Sequence, residues 1–267
     1  MDKRVYLALI FTVLILSASL GVVAARSLSI PYINMDIYLQ DDGSIHVKEV
    51  IHASFSGTYN GIYRDIPLSG TQQIENVSVS STGAYSSFTE TNYSNYHRIK
   101  VYLYSNEQKT TGVTDQTADV TIEYDMTHVV KFYNDIAELH YKLVGTQWEV
   151  PIGQMNAKIH TKSSDGVKYW LNPPYYTENS SWQGNTLQVT SKEVPSGNYY
   201  EVRMVIPKDQ FAANPTNGII IDQDGLTQIE NIQNEYQDEL NFKTNLYSIL
   251  AVLLLLACLT PVIIYYV

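Results

Sequence analysis

Through the middle of the chain, apolar and polar residues alternate one for one, the two-residue period of strands with one buried face. Ile33, Met35, Ile37 and Leu39 alternate with Asn34, Asp36, Tyr38 and Gln40, and Asp41-Asp42-Gly43 then supplies a tight turn. The following strand places Ile45, Val47, Ile51, Ala53 and Phe55 on one face and His46, Lys48, His52 and Ser54 on the other. The pattern returns in Val77 and Val79, in Ile99, Val101 and Leu103, and in Ala118, Val120, Ile122 and Tyr124. It continues in Ala137, Leu139, Tyr141 and Leu143, in Met155, Ala157 and Ile159, in Leu187 and Val189, and in Val202, Met204 and Ile206. Roughly ten strands between polar turns predict a mainly β protein, an antiparallel β-sandwich. A boundary is expected near 145–150, dividing a first module over 28–146 from a smaller second one over 147–208. Trp148, Pro151 and Ile152 would dock the two, and a single elongated sandwich is the alternative.

The pattern changes at both ends. Residues 209–225 read as a loop, and 226–245 as a juxtamembrane stalk helix in which Ile229, Ile232, Tyr236 and Leu240 recur at spacings of three and four. Residues 246–267 are almost uninterruptedly apolar, long enough at 1.5 Å per residue to cross a hydrocarbon core of about 30 Å. At the start, Lys3 and Arg4 precede an apolar stretch and then Ala24, Ala25 and the polar Arg26. That is the order of a secretory signal peptide over 1–25; an uncleaved membrane anchor is the alternative, giving a two-pass protein in place of a single-pass one. Either way the middle of the chain is expected outside the cytoplasm.

Composition narrows the function. Between 26 and 245 the chain carries 26 acidic against 15 basic residues, a net charge of −11. That balance argues against nucleic acid and anionic lipid surfaces as partners. The one cysteine, Cys258, falls in the C-terminal apolar run, so the exported part can form no internal disulfide and must be held by packing. His46, His52, His97, His128, His140 and His160 show no metal-ligand spacing, and no metal or cofactor is expected. Asp222 and Asp224 lack the further ligands of a calcium loop and read as a turn. The chain has no Gly-x-Ser-x-Gly elbow and no phosphate-cradling glycine loop, so no catalytic residue is assigned. Asn-x-Ser acceptors at Asn76, Asn92 and Asn179 are candidate glycan sites, and Asn76 should face outward.

One residue breaks the alternation. Glu49 lies in register with Val47 and Ile51, on the face that should be buried. An unpartnered carboxylate there would be costly, and Arg64, with its bidentate fork, is the partner expected in a structural ion pair.

The segments Asp42-Gly43-Ser44, Val47, Glu49, Phe55, Gly57 and Gly61-x-Tyr63-Arg64-Asp65-Ile66-Pro67 resemble the extracytoplasmic N-terminal domain of the YciQ-like predicted membrane proteins, a family of unknown function. The resemblance continues in Asp135-x-x-Glu138-Leu139-x-Tyr141 and Gly145-x-x-Trp148-x-Val150-Pro151-Ile152, and covers about residues 28–207. Tyr141 stands where the family pattern expects Trp, and the chain ends after one C-terminal span where relatives continue. The resemblance implies a signal peptide, a β-rich exported domain and a membrane anchor, and no activity. The expected function is therefore that of an extracytoplasmic binding or structural protein of the prokaryotic envelope, anchored in lipid, whose partners are envelope proteins or glycans. A hydrolase of envelope carbohydrates, or the ectodomain subunit of a membrane complex, is the alternative.

Overall fold

The structure, a computed structural model, describes residues 26–266; the expected signal peptide or anchor over 1–25 lies outside them. The strands in chain order are β1 (Ser27–Leu39), β2 (Ile45–Ser56), β3 (Thr58–Tyr59), β4 (Gly61–Pro67), β5 (Gln73–Thr82), β6 (Tyr85–Asn92), β7 (Tyr96–Tyr104), β8 (Val113–Thr114) and β9 (Thr117–Thr127). There follow β10 (Val130–Phe132), β11 (Ala137–Val144), β12 (Met155–His160), β13 (Lys168–Asn172), β14 (Thr177–Gln183), β15 (Thr186–Ser191), β16 (Tyr200–Ile206) and β17 (Ile219–Ile220), and then one long helix, α1 (Leu226–Tyr266).

A seven-stranded sheet runs β14-β15-β12-β1-β2-β9-β5, a five-stranded sheet β13-β16-β11-β10-β17 and a three-stranded sheet β4-β7-β6, with β3 and β8 as a separate pair. The inward faces of all three larger sheets contribute to one core: Ile33, Ile37, Val47 and Val120 from the first, Leu139, Val202 and Met204 from the second, Ile62, Ile99 and Val101 from the third. Alternation makes this possible, because each strand offers one apolar face and the burial pattern is strictly two-residue along β7 and along β9 as far as Met126.

The expected division near 145–150 is not a division of the fold. After Val150 the chain adds to sheets already present: β12 pairs in parallel with β1, from Ile33 with Met155 to Tyr38 with His160, and β16 pairs with β11. Residues 28–146 alone would leave one edge of β1 and one edge of β11 without hydrogen-bonding neighbours, so the two sets of strands complete each other. A sequence pattern tells which face of a strand is buried and leaves its lateral neighbour open. The segment 209–225, expected as loop, likewise supplies β17, which pairs in parallel with β10. The sandwich is thus antiparallel apart from the β1–β12 and β10–β17 pairings.

The helix is continuous from Leu226, so stalk and apolar run form one element. Its first turns seat on the outer face of the five-stranded sheet, where Ile229 is buried with Tyr133, Ile136 and Val205. None of its most apolar stretch is covered by protein.

Candidate functional site

Glu49 points inward from β2 between Val47 and Ile51 and is fully buried. Arg64 reaches it from β4, with Nε donating to Oε2 at 2.6 Å and Nη2 to Oε1 at 2.7 Å, the bidentate geometry of a strong ion pair. The remaining Arg64 nitrogen, Nη1, donates to the Asp65 carbonyl at 2.7 Å. Tyr124 of β9 donates its hydroxyl to Glu49 Oε1 at 2.8 Å. That proton being committed, Tyr141 of β11 must be the donor in the 2.6 Å contact between the two hydroxyls. The chain of contacts therefore begins in the seven-stranded sheet, crosses to the three-stranded sheet at Arg64 and ends in the five-stranded sheet at Tyr141. Burial, followed by the nearby carboxylate, pushes both tyrosine hydroxyls well above their usual range, so both stay protonated as donors.

This cluster is closed to solvent and cannot meet a ligand; it holds three sheets in register. Its outer boundary is Trp148, whose ring centre lies 5.8 Å from the Arg64 guanidinium carbon. The far side of that residue opens into a cleft of about 670 Å³ lined by Arg26, Tyr59, Gly61, Tyr63, Asp65, Arg98, Lys100 and Trp148, among others. The cleft is thus built where the Gly61–Pro67 strand meets the segment around Trp148. Gly61 is required there: its φ is +139° and an added Cβ would lie 1.8 Å from the Val101 carbonyl oxygen. Gly145 serves the same junction, since a Cβ would approach Pro67 Cγ at 2.8 Å.

Alternation along β4 divides its residues between two roles. Arg64 and Ile66 face the core, whereas Tyr63, 52% exposed, and Asp65 line the cleft. Asp65 accepts a bidentate pair of bonds from Arg98, both at 2.7 Å. Beside the carboxylate, Arg98 lies over the rings of Tyr63, Tyr93 and Tyr96 at 4.8, 5.6 and 5.4 Å, and Lys100 lies over Tyr63 and Tyr102. The Asp65 hydrogen bonds raise the Arg98 pKa, and the Tyr102 hydroxyl raises that of Lys100. The result is a rim of exposed and half-buried tyrosines held by two fixed cations, on a chain that is acidic overall.

The other sequence candidates lie apart from this cleft. Pro151 is exposed, while the adjacent Ile152 is buried and bridges to Ile30 and Val194. Asn76, Asn92 and Asn179 are all exposed; the Asn76 amide donates to Asp125 at 2.7 Å, and Asn92 Oδ1 contacts His97. His46, His52 and His160 are not merely solvated: each meets an aspartate on a neighbouring strand, Asp125, Asp119 and Asp36, at 2.6–2.9 Å. Among the described residues no cluster of three or more His, Cys, Asp or Glu could hold a metal. Asp222 accepts from Asn134 in the approach to α1.

Two residues of the Asp135-x-x-Glu138 segment act at the helix seat, which no sequence signal singled out. Asp135 Oδ1 accepts the Gly225 N–H at 2.6 Å and Oδ2 the Leu226 N–H at 3.0 Å, capping α1 from a distant loop. Burial alone would raise this carboxyl, but the backbone N–H groups outweigh it and hold it below the usual carboxylate range. Glu138, buried unlike Asp135, accepts from Tyr133 at 3.0 Å and lies 3.2 Å from Arg203. Burial and this carboxylate push the Tyr133 hydroxyl up to about 12.

A β-sandwich seated on a helix long and apolar enough to cross a bilayer defines a membrane-anchored β protein. The chain belongs to the family described as Predicted membrane protein (DUF2207) N-terminal domain, whose model matches residues 29–206. No curated protein matches it. Among solved structures it is similar to an M1 zinc metallopeptidase from Deinococcus radiodurans, with 8% identity and a TM-score of 0.41 over 67% of this chain and 42% of that one. It is also similar to native leukotriene A4 hydrolase from Saccharomyces cerevisiae, with 10% identity and a TM-score of 0.43 over 66% and 29%. The chain spans less than half the length of either structure, and at these scores neither likeness bears on function.

Proposed function

We propose that this protein is a binding module of the prokaryotic envelope, displayed on the extracytoplasmic side by α1, and that the cleft above Trp148 is where it engages envelope proteins or glycans. The observation that carries the reading is the division of labour along β4. The residues beneath the cleft are fixed in a closed ion pair, while those facing it, Tyr63 and Asp65, are aligned by Arg98 and Lys100. Tyrosine and arginine on a rigid support are the side chains that supply most contact energy at recognition surfaces, because they bury much area for few rotatable bonds. The membrane-spanning helix favours the same reading, since anchoring concentrates a weak binder where its partners are.

A photo-reactive amino acid replacing Tyr63 in the full chain, with the same group at Tyr85 on β6 as control, tests this in native membranes. A discrete adduct formed from position 63 and absent from position 85 supports the proposal. Identical patterns from the two positions refute it, and turnover of envelope carbohydrate by the purified protein would establish the hydrolase alternative in its place.

A further inference from the structure

The β-domain is fastened to α1 over its first two turns or so, from Leu226 to Gln233. Asp135 caps its start, Lys168 pairs with Glu230 at 2.6 Å, and the Asn172 amide donates to buried Gln233 at 2.9 Å. β13 follows α1 in the helix direction, Lys168 lying at Glu230 and Asn172 at Gln233, so the short helical turn Pro174–Tyr176, reached after Pro173, continues toward the apolar run. At its tip Pro174 and Tyr175 are exposed, Tyr175 by 56%, and the rings of Tyr175 and Tyr176 meet edge to face at 4.7 Å. Tyr176 is half-buried and packs against the core, which fixes the turn, whereas Pro174 and Tyr175 face outward and take no part in that packing.

Its depth can be placed against the helix. Burial and the Tyr199 hydroxyl push the Tyr236 hydroxyl up, and Tyr175 adds to that shift. The Glu239 carboxylate raises Lys243, and Tyr175 contributes there as well. The contacts give the same depth: Asn172 meets Gln233 thirteen residues, about 20 Å of rise, before Leu246, and the three residues from Asn172 to Tyr175 can carry the chain up to about 10 Å of that way. Lys243 and the exposed Phe242 stand just before the apolar run that opens at Leu246. The headgroup layer extends roughly 5–8 Å outside the hydrocarbon on each side, so Lys243 occupies it and Tyr175 reaches its outer part. Tyrosine is enriched at that depth because its ring is apolar and its hydroxyl is wet.

We propose that the Pro174–Tyr176 turn is a second membrane contact, with Tyr175 entering the headgroup layer of the same bilayer that α1 spans, so that the β-domain rests on the lipid surface at a fixed tilt. The neighbouring charges on α1 include Asp238 and Glu239 as well as Lys243. The contact is therefore one of aromatic insertion and hydrogen bonding, independent of anionic lipid.

The test uses the full chain in phosphatidylcholine vesicles. Tyr175→Trp introduces a reporter at an exposed position, Tyr85→Trp places one on β6, and the parent with its three tryptophans gives the baseline. Lipid brominated near the headgroup should quench the added fluorescence of Tyr175→Trp and leave that of Tyr85→Trp unchanged. Adding phosphatidylglycerol should leave the quenching as it was. Quenching of Tyr175→Trp no greater than that of Tyr85→Trp would overturn the proposal, and quenching that appears only with anionic lipid would overturn its aromatic basis.

Discussion

Replacing Arg64 by Met should be among the most damaging changes this domain can suffer. The Glu49 carboxylate receives three hydrogen bonds, two from Arg64 at 2.6 and 2.7 Å and one from Tyr124 at 2.8 Å. In Arg64→Met the two charged donors vanish and a carboxylate with no solvent exposure is left with one neutral donor. Removing one member of a buried pair costs about 3–5 kcal/mol, most of it the penalty of the stranded charge. In a domain of this size 1 kcal/mol moves the thermal midpoint by about 2–4 °C, so the expected drop is about 6–20 °C. Glu49→Gln strands the guanidinium in the same way but keeps an acceptor of similar shape, and should fall at the lower end of that range. The double variant should lose clearly less than the sum of the two single losses, with a coupling of about 1–3 kcal/mol, because the second change removes the charge that the first left exposed to an apolar site. Thermal and urea unfolding of the full chain in detergent, followed by tryptophan fluorescence, measures all three; Trp148 beside Arg64 gives the probe a local component. Single losses that add to within about 0.5 kcal/mol would refute the reasoning.

Two further outcomes follow from the same geometry. Tyr124→Phe removes a donor to a buried charge and should cost about 1.5–3 kcal/mol, whereas Tyr141→Phe removes a neutral hydroxyl bond and should cost about 0.5–1.5 kcal/mol; urea unfolding that reverses this order would show that the proton direction assigned above is wrong. Asp135→Asn should cost about 1 kcal/mol at neutral pH through loss of the charged cap on α1. The folded-state pKa of Asp135 is lowered, so its contribution is complete above the unfolded carboxylate value of about 4 and is lost as pH falls through the folded value. The gap in thermal midpoint between wild type and Asp135→Asn should therefore be constant at neutral pH and close below about pH 4; a gap that persists at pH 2 would remove the charge argument.

The alternation made the strands and the inward position of Glu49 legible, because both are local properties of a two-residue period. Tyr124 and Tyr141 were visible as members of buried faces, and a hydroxyl among aliphatic neighbours is itself a demand for a partner. That the two meet each other and Glu49 depends on how three sheets stack, which no local pattern encodes. The same reason explains why the strands after Trp148 read as a second module: β12 finds β1 across more than a hundred residues, and parallel pairing leaves no turn signature between the partners. The role of Asp135 is illegible for a related reason, since a cap supplied from a distant loop lacks the spacing of a local capping box.

The arrangement separates stability from recognition along a single strand. On β4 the inward residues Arg64 and Ile66 are buried almost completely, and their neighbours Tyr63 and Asp65 face the cleft. A change at Arg64 acts on the cleft only through the fold, by releasing Trp148 and the junction of Gly145 with Pro67. A change at Tyr63, half exposed and lying under Arg98 and Lys100, acts on the cleft with little cost to the fold. A motif whose residues alternate between these two duties is thereby held to its spacing twice over. Shifting β4 by one residue against β7 would bury Tyr63 and Asp65 and expose Arg64, opening the ion pair and erasing the recognition surface in one step.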